Sequence, residues 1–417
     1  QLGDTLPQFY LLMKVHKIPL KTRPIVSFPG SLFHPLGVWI DKHLQTVAKT
    51  FPTYLQSSFD LLGDFKTLQL PPHRRYRLFT ADATSMYTNL PTKESIQAIH
   101  DYIVDNQKTF PFLPITPLTE ALELLMNHNV FQFGDTFFRQ TVGAAMGAPP
   151  SPTYANSSFA THELKILNLL SDCIAYWKRY IDDIFGIWIC HPDPLMDEIL
   201  WSMCQRVLND WHGLQWKISK RSDTVVFLDL TLRLRDGKIH STLFEKPLNL
   251  YLYLPAKSAH PPGALYGLIA GFVFRALTLC TDKADALSVI AKMFRNLQAR
   301  GYSASTLRPI FSKAMESRDN IREVMETQNP NEPDRMWLFK LTYHPNDPPS
   351  HLIRKAWNKT VAEPPLSKPL RRFDIRWTPI GDRRFVVCYR RPANLGNILS
   401  YRKLKPNSGP EVSSYFI

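Results

Sequence analysis

At 417 residues, 44% of them hydrophobic, the chain can fill the cores of two or three domains or of one large composite body. Its 50 Lys and Arg against 36 Asp and Glu leave a net charge of +14, a balance that favours a polyanionic partner. Five scattered cysteines, odd in number and without metal-ligand spacing, argue against a disulfide framework and for a reducing compartment.

The chain opens at Gln1 without a signal peptide and reads as a piece of a longer polypeptide. Residues 9–28, "FYLLMKVHKIPLKTRPIVSF", predict two short strands around a basic turn, because Pro19 and Pro24 interrupt any helix. A helix is expected over 34–49. Residues 76–91, "YRLFTADATSMYTNLP", predict a strand that runs into polar turn residues. A helix over 92–106 follows, with Thr92 as its cap and Ile96, Ile99 and Ile103 on one face. The Gly/Pro-rich stretch at 143–152 feeds a further helix. Residues 174–190 predict a hairpin broken at Asp182-Asp183, and a helix is expected at 195–212. Around Asp236-Gly237 the alternation predicts a second hairpin. The pattern over 261–330 is helical. Its most apolar run, 264–280, is 17 residues long and contains Arg275, so it reads as a buried helix rather than a membrane span. Residues 351–417 carry 14 Lys and Arg against four Asp and Glu.

Chemistry concentrates at "YWKRYIDDIFGIWIC", residues 176–190. Two adjacent carboxylates between apolar arms need a compensating cation, and hard oxygen ligands select magnesium. Asp82 ends another apolar strand. If that strand pairs with the hairpin, Asp82, Asp182 and Asp183 converge and can hold two magnesium ions for an in-line displacement at a triphosphate.

These residues carry a resemblance. Tyr-Ile-Asp-Asp at 180–183 resembles the YxDD box of reverse transcriptases, and Asp82 resembles the other catalytic aspartate of their palm. "GAAMGAPPSPTYANSSFA" resembles their loop-helix at the nascent base pair, and "FYLLMKVHKIPLKTRPIVS" their fingers strands. Within that family "KVHK", "TADATSMYTNLP", "MGAPPSP", "FLDLTLR" and the block from "LFEKPLNLYLYLP" onward are most similar to the Penelope-like retroelement group, relatives of telomerase. The likeness runs over about 9–400. It lacks the GIY-YIG nuclease of one branch, so an endonuclease would be supplied elsewhere or by missing parts of the polypeptide.

The resemblance implies an α+β right-hand polymerase with an antiparallel-sheet palm, fingers and a helical thumb. It places fingers at 1–75, palm at 76–250 with a fingers insertion at about 92–140, thumb at 251–345 and a basic extension at 346–417. It implies an RNA-directed DNA polymerase that extends a DNA primer on an RNA template with dNTPs, using two Mg2+ ions or Mn2+ in their place. A structured element RNA is a further partner, no membrane is involved, and the compartment is nuclear. Asp82 with the adjoining Ala83, Asp182 and the looser Asp183 hold the metals. Arg23 is ranked first on the triphosphate, with Lys14, Lys17 and Lys21, and Ala83, Tyr87, Met146 and Gly147 line the nucleotide. Met146 stands where many relatives have Gln. Lys217 or Lys220, the latter preferred, donates a proton near the leaving pyrophosphate. Asp229 is structural. Lys292, Arg295 and Arg300 serve the duplex backbone, together with the basic tail around Arg371, Arg372, Arg383 and Arg384. In that tail Phe373, Trp377, Phe385 and Tyr389 fit a small core equally well. Three other readings share these residues: an RNA-dependent RNA polymerase, a telomere-type enzyme and a catalytically silent RNA-binding palm.

Overall fold

Strand β3 (Tyr76–Ala83) alternates two sets of side chains, and both are apolar over most of its length, so it is covered on both faces. It lies between β7 (Asp183–Ile189) and β8 (Trp216–Ile218) in a four-stranded antiparallel sheet of order β6-β7-β3-β8, with β6 spanning Ile174–Tyr180. The computed structural model describes residues 5–14, 19, 21–246, 249–261, 263–317, 336–362 and 384–390. Mixed helices and antiparallel strands give an α+β fold.

Two units divide the chain, Gln1–Leu250 with Ala276–Val289 and Tyr251–Arg275 with Ile290–Ile417. In the first unit, Phe79, Ala81, Ala83, Ile184 and Trp188 share one core with Val26, Phe28, Ile40 and Leu44 of the first 75 residues. Helices α1 (His34–Ala48), α4 (Thr92–Asp105), α5 (Ile115–Asn127), α6 (Ser151–Leu169) and α7 (Pro194–Asn209) contribute to it. Ile96, Ile99 and Ile103 are buried on α4 as their spacing predicts, but Pro91 occupies the cap position and Thr92 is the first helical residue. The other sheet face buries Leu78, Phe185 and Ile187 with Leu61 of α2 (Ser58–Thr67) and Val225, Phe227, Leu230 and Leu232. Those last four lie on β9 (Thr224–Phe227) and β10 (Leu230–Arg235), which pair with β11 (Lys238–Leu243) in a second small sheet. Its turn is Asp236-Gly237, both left-handed, as expected for that dipeptide between strands. Asp229 has a structural place here: Ser58 Oγ donates to its carboxylate.

Gly186 shows how tightly the sheet is filled. It is opposite Phe79, and a Cβ on it would stand 2.3 Å from Cζ of that ring. Gly186→Ala is therefore expected to destabilise the protein by about 1–3 kcal/mol, read as a lower urea midpoint. An unchanged midpoint would mean that the Phe79 ring shifts freely.

A third sheet joins β1 (Gln8–Lys14), β2 (Lys21–Ser27), β4 (Val130–Phe133) and β5 (Thr136–Arg139) in the order β2-β1-β4-β5. Beyond it in the chain come helices α8 (Ala264–Leu279), α9 (Lys283–Ala299) and α10 (Ala304–Glu316). Within the second unit Ile269, Val273, Met293, Leu297, Leu307 and Phe311 are buried, and Phe294 meets Phe311 edge-on at 5.3 Å. No helix among the described residues is long and apolar enough to cross a membrane. Strands β12 (Met336–Thr342) and β13 (Arg384–Arg390) pair in parallel, and Trp357 stacks on Phe385 at 4.4 Å. Phe385 thus packs with Phe339 and Trp357, and Tyr389 meets Tyr343 edge-on, whereas Phe373 and Trp377 lie outside the described residues.

Candidate active site

Strands β6 and β7 are joined by two residues, Ile181 and Asp182. The tight connection holds Ile181 at φ +52°, a left-handed backbone that a β-branched residue rarely adopts. The Ala83 N–H donates to the Asp182 carbonyl at 2.8 Å and ties the end of β3 to this turn. Register does the rest. Tyr180 is opposite Asp183, Asp183 is opposite Asp82, and Asp82 is opposite Lys217. Directly opposed residues share a face, so these four form one row across the end of the sheet.

The row is electrostatically loaded. Burial, and then the charges of Asp182 and Asp82, push the Asp183 carboxyl up to about 7, against the pull of Lys246. Asp182 is raised as well, by burial first and then by Asp82, while Arg23 and Lys14 act in the opposite sense. These two cations come from the β1–β2 hairpin, where Arg23 is opposite Leu12 and Lys14 is opposite Lys21. The hairpin thus brings positive charge to Asp182, while Lys21 is exposed and Lys17 lies outside the described residues. Between the two candidate lysines the register favours Lys217, since Lys220 lies past the end of β8.

Tyr87 sits on the short helix α3 (Met86–Asn89), which begins after Ser85 turns the chain with φ +52°. Its hydroxyl is held well above the ordinary tyrosine range by burial first, with the charge of Asp182 and then Tyr180 adding to the effect. The loop before α6 is fastened to both neighbours. The Ala144 N–H donates to Tyr87 O at 2.6 Å, and the Val26 N–H donates to Met146 O at 2.8 Å. Gly147, at φ +123°, lets the loop pass so close to β2 that a Cβ would stand 2.3 Å from Val26 O. Phe9, Pro24, Thr88, Arg139, Ala145 and Met146 are among the residues lining a cleft of about 310 Å³ here. Gln140 is used structurally, accepting from Asn129 Nδ2 at 3.0 Å and donating to Val142 O at 3.0 Å.

Strand register sets Asp82 opposite Asp183, and Asp182 adjoins them in the turn, but the three do not form a closed ligand cage. Among the described residues no three His, Cys, Asp or Glu side chains are gathered into a group that could hold a metal ion. Like charges repel at close range, and Asp82 is exposed at its strand end. The donor set nonetheless suits a hard divalent cation: the carboxylates are oxygen ligands, and two of them carry a charge that burial disfavours.

That misfit predicts a pH effect in metal-free buffer. Asp183 titrates near 7 in the folded protein against 3.8 ordinarily, so the folded state binds this proton more tightly. Stability associated with it is complete at low pH and is lost as pH rises from about 4 through 7. Asp183→Asn should melt above the unsubstituted protein at pH 8, with the gap closing toward pH 4.5. A gap independent of pH would remove Asp183 as its cause.

Elsewhere, Lys292 lies 5.0 Å from the Tyr251 ring centroid, Arg300 Nε donates to Tyr253 O at 2.7 Å, and Arg295 is exposed. Arg384 begins β13, and Arg371, Arg372 and Arg383 lie outside the described residues. Two charged groups around the turn escaped the sequence reading. Lys246 follows β11 and acts on Asp183, with no periodicity to mark it. Arg179 did leave a signal, a charged residue in the same inward alternation as Trp177.

No protein-family model matches this chain, and no curated protein matches it. Among solved structures it is similar to a Candida albicans telomerase in complex with a TWJ fragment of telomeric RNA, with 11% identity, 76% of this chain and 56% of that chain covered, and a TM-score of 0.48. A Candida tropicalis telomerase in complex with a TWJ fragment gives 14% identity, 78% and 55% coverage and a TM-score of 0.45. The BmCPV RNA-dependent RNA polymerase at its quiescent state gives 11% identity, 70% and 26% coverage and a TM-score of 0.45. The chain thus spans little more than half the length of those telomerases.

Proposed function

We propose that the chain is an RNA-directed DNA polymerase of the Penelope-like retroelement kind, extending a primer 3′ end with dNTPs on an RNA template. The four-stranded sheet is read as its palm, the β1–β2 hairpin as fingers and the helices from α8 onward as its thumb. One observation carries this reading: strand register sets Asp183, Asp82 and Lys217 in a single row, with Asp182 in the adjoining turn and the charges of Arg23 and Lys14 acting on it.

Each member has a task that follows from its position. Asp82 and Asp182, with Asp183 as a looser third member, would hold divalent magnesium, which supplies activation of an attacking hydroxyl and neutralisation of the triphosphate. Ala83 contributes through its backbone, which fixes the Asp182 peptide. Arg23 and Lys14 would offer cationic donors to the outer phosphates. Lys217, opposite Asp82, would give a proton to the departing pyrophosphate oxygen. The Gly143–Gly147 loop presents backbone and the Met146 side chain to the nascent pair. The excess of basic residues supports a long polyanionic partner whose binding is salt-sensitive.

The test is extension of a labelled DNA primer on an RNA template with magnesium, dNTPs and rNTPs compared in parallel. Magnesium-dependent dNTP addition is expected. Equal or better use of rNTPs would make the chain an RNA polymerase, and no extension with either would leave a silent RNA-binding palm.

A further inference from the structure

The turn that carries Asp182 rests on a buried ionic network. Arg179 is 2% exposed and Glu163 fully buried, with Nη2 of the arginine 2.8 Å from Oε2 of the glutamate. Thr53 Oγ1 and Trp177 Nε1 each donate to that carboxylate at 2.8 Å. The guanidinium also lies 5.3 Å from the Phe159 ring centroid. From this anchorage Arg179 Nη1 donates to Asn156 Oδ1 at 3.1 Å and to the Ile181 carbonyl at 2.8 Å, while Nη2 donates to Asn156 O at 2.8 Å. Asn156 Oδ1 also accepts from the Ile181 N–H at 3.2 Å.

Both polar groups of Ile181 are therefore clamped by one network, and Ile181 is the residue at φ +52°. An unfavoured backbone persists where its surroundings over-determine it, and such places cluster at functional sites. A buried ion pair is weak evidence for stability in its own right, since apolar residues of similar volume often serve as well. Its retention here is better explained by geometry. A guanidinium fork can hold a carboxylate, an amide oxygen and two carbonyls at once, which an ammonium cannot.

We propose that Arg179 and Asn156 are positioning residues that set the Ile181-Asp182 turn and so aim the Asp182 and Asp183 carboxylates; this rests on the polymerase reading above. Both residues are buried, so their effect should fall on the rate of the chemical step rather than on nucleotide affinity. Asn156→Ala removes the amide oxygen and leaves the Arg179–Glu163 pair intact. Arg179→Lys keeps the charge and loses the fork. Ser241→Ala is the control, since it removes a buried hydroxyl that donates to Leu279 O at 2.7 Å outside this network.

Steady-state primer extension by N156A and R179K should show kcat lowered by about tenfold or more, with the dNTP KM moved by less than about threefold. S241A should keep its kcat whatever its melting temperature. A second readout, binding of Mn2+ alone followed by electron paramagnetic resonance, should show weaker affinity in N156A than in S241A. If kcat in all three variants simply follows melting temperature, or if N156A matches S241A in both kcat and Mn2+ affinity, the positioning role is overturned. If the unsubstituted protein extends no primer, the polymerase reading falls, and Mn2+ affinity decides alone: weakened in N156A only, the positioning role stands; equal in N156A and S241A, it falls.

Discussion

Asp82→Asn and Asp182→Asn should each abolish nucleotide addition while the protein stays folded: an expected loss of about 10³-fold or more, equivalent to roughly 4 kcal/mol of transition-state stabilisation. The size follows from the task. A carboxylate that holds a divalent cation against a triphosphate cannot be replaced by a neutral amide of the same shape, because charge is what it supplies. Retained folding follows from the structure. Asp82 is exposed and joins the sheet by its backbone, and Asp182 is tied to Ala83 through its own carbonyl. Neither link depends on the carboxylate. Removing one of several crowded like charges also relieves repulsion, so thermal stability in metal-free buffer should hold or rise. Single-turnover extension beside a melting curve separates the two outcomes. A D82N or D182N protein that extends primers at the unsubstituted rate would remove the residue from the metal site.

What could be read in advance was local. The apolar run ending at Asp82 and the two apolar arms around Asp182-Asp183 specify strands that stop at carboxylates, and the Asp236-Gly237 dipeptide specifies its own turn. What stayed hidden depends on register between distant segments. Lys217 rather than Lys220 stands opposite Asp82 because of a three-residue strand pairing across 135 positions, and periodicity cannot fix such a pairing. Asn156 and Glu163 lie seven apart on α6, on one face, yet that helix is buried nearly all round with small and polar residues, so no apolar stripe singles out their side. Arg179 could be noticed as a charge pointing inward, but its partner lies on another element. The return of Ala276–Val289 to the first unit is likewise a tertiary fact: Leu279 joins the core of Leu78 and Ile187.

Under the proposed function, the choice of sugar is expected to turn on Tyr87. Its ring packs against the main core, and its peptide oxygen is held by the Ala144 N–H at 2.6 Å. Gly143 is forced to be glycine beside it, since a Cβ there would stand 2.3 Å from that same oxygen. An aromatic fixed in this way can act as a wall. A ribose 2′-hydroxyl pressed against a packed ring costs roughly 1–3 kcal/mol on the overpacking scale, or about 5- to 150-fold in selectivity. Tyr87→Ala should therefore gain rNTP incorporation by a factor in that range while keeping much of its dNTP activity. Tyr87→Phe keeps the ring and should keep the discrimination, which separates a steric wall from a hydrogen bond by the hydroxyl. Were Tyr87 only a core residue, its truncation would lower dNTP and rNTP use together, in step with a lower melting temperature. A ratio of the two rates unchanged in Y87A rejects the wall, and free rNTP use by the unsubstituted protein rejects it before any mutation is made.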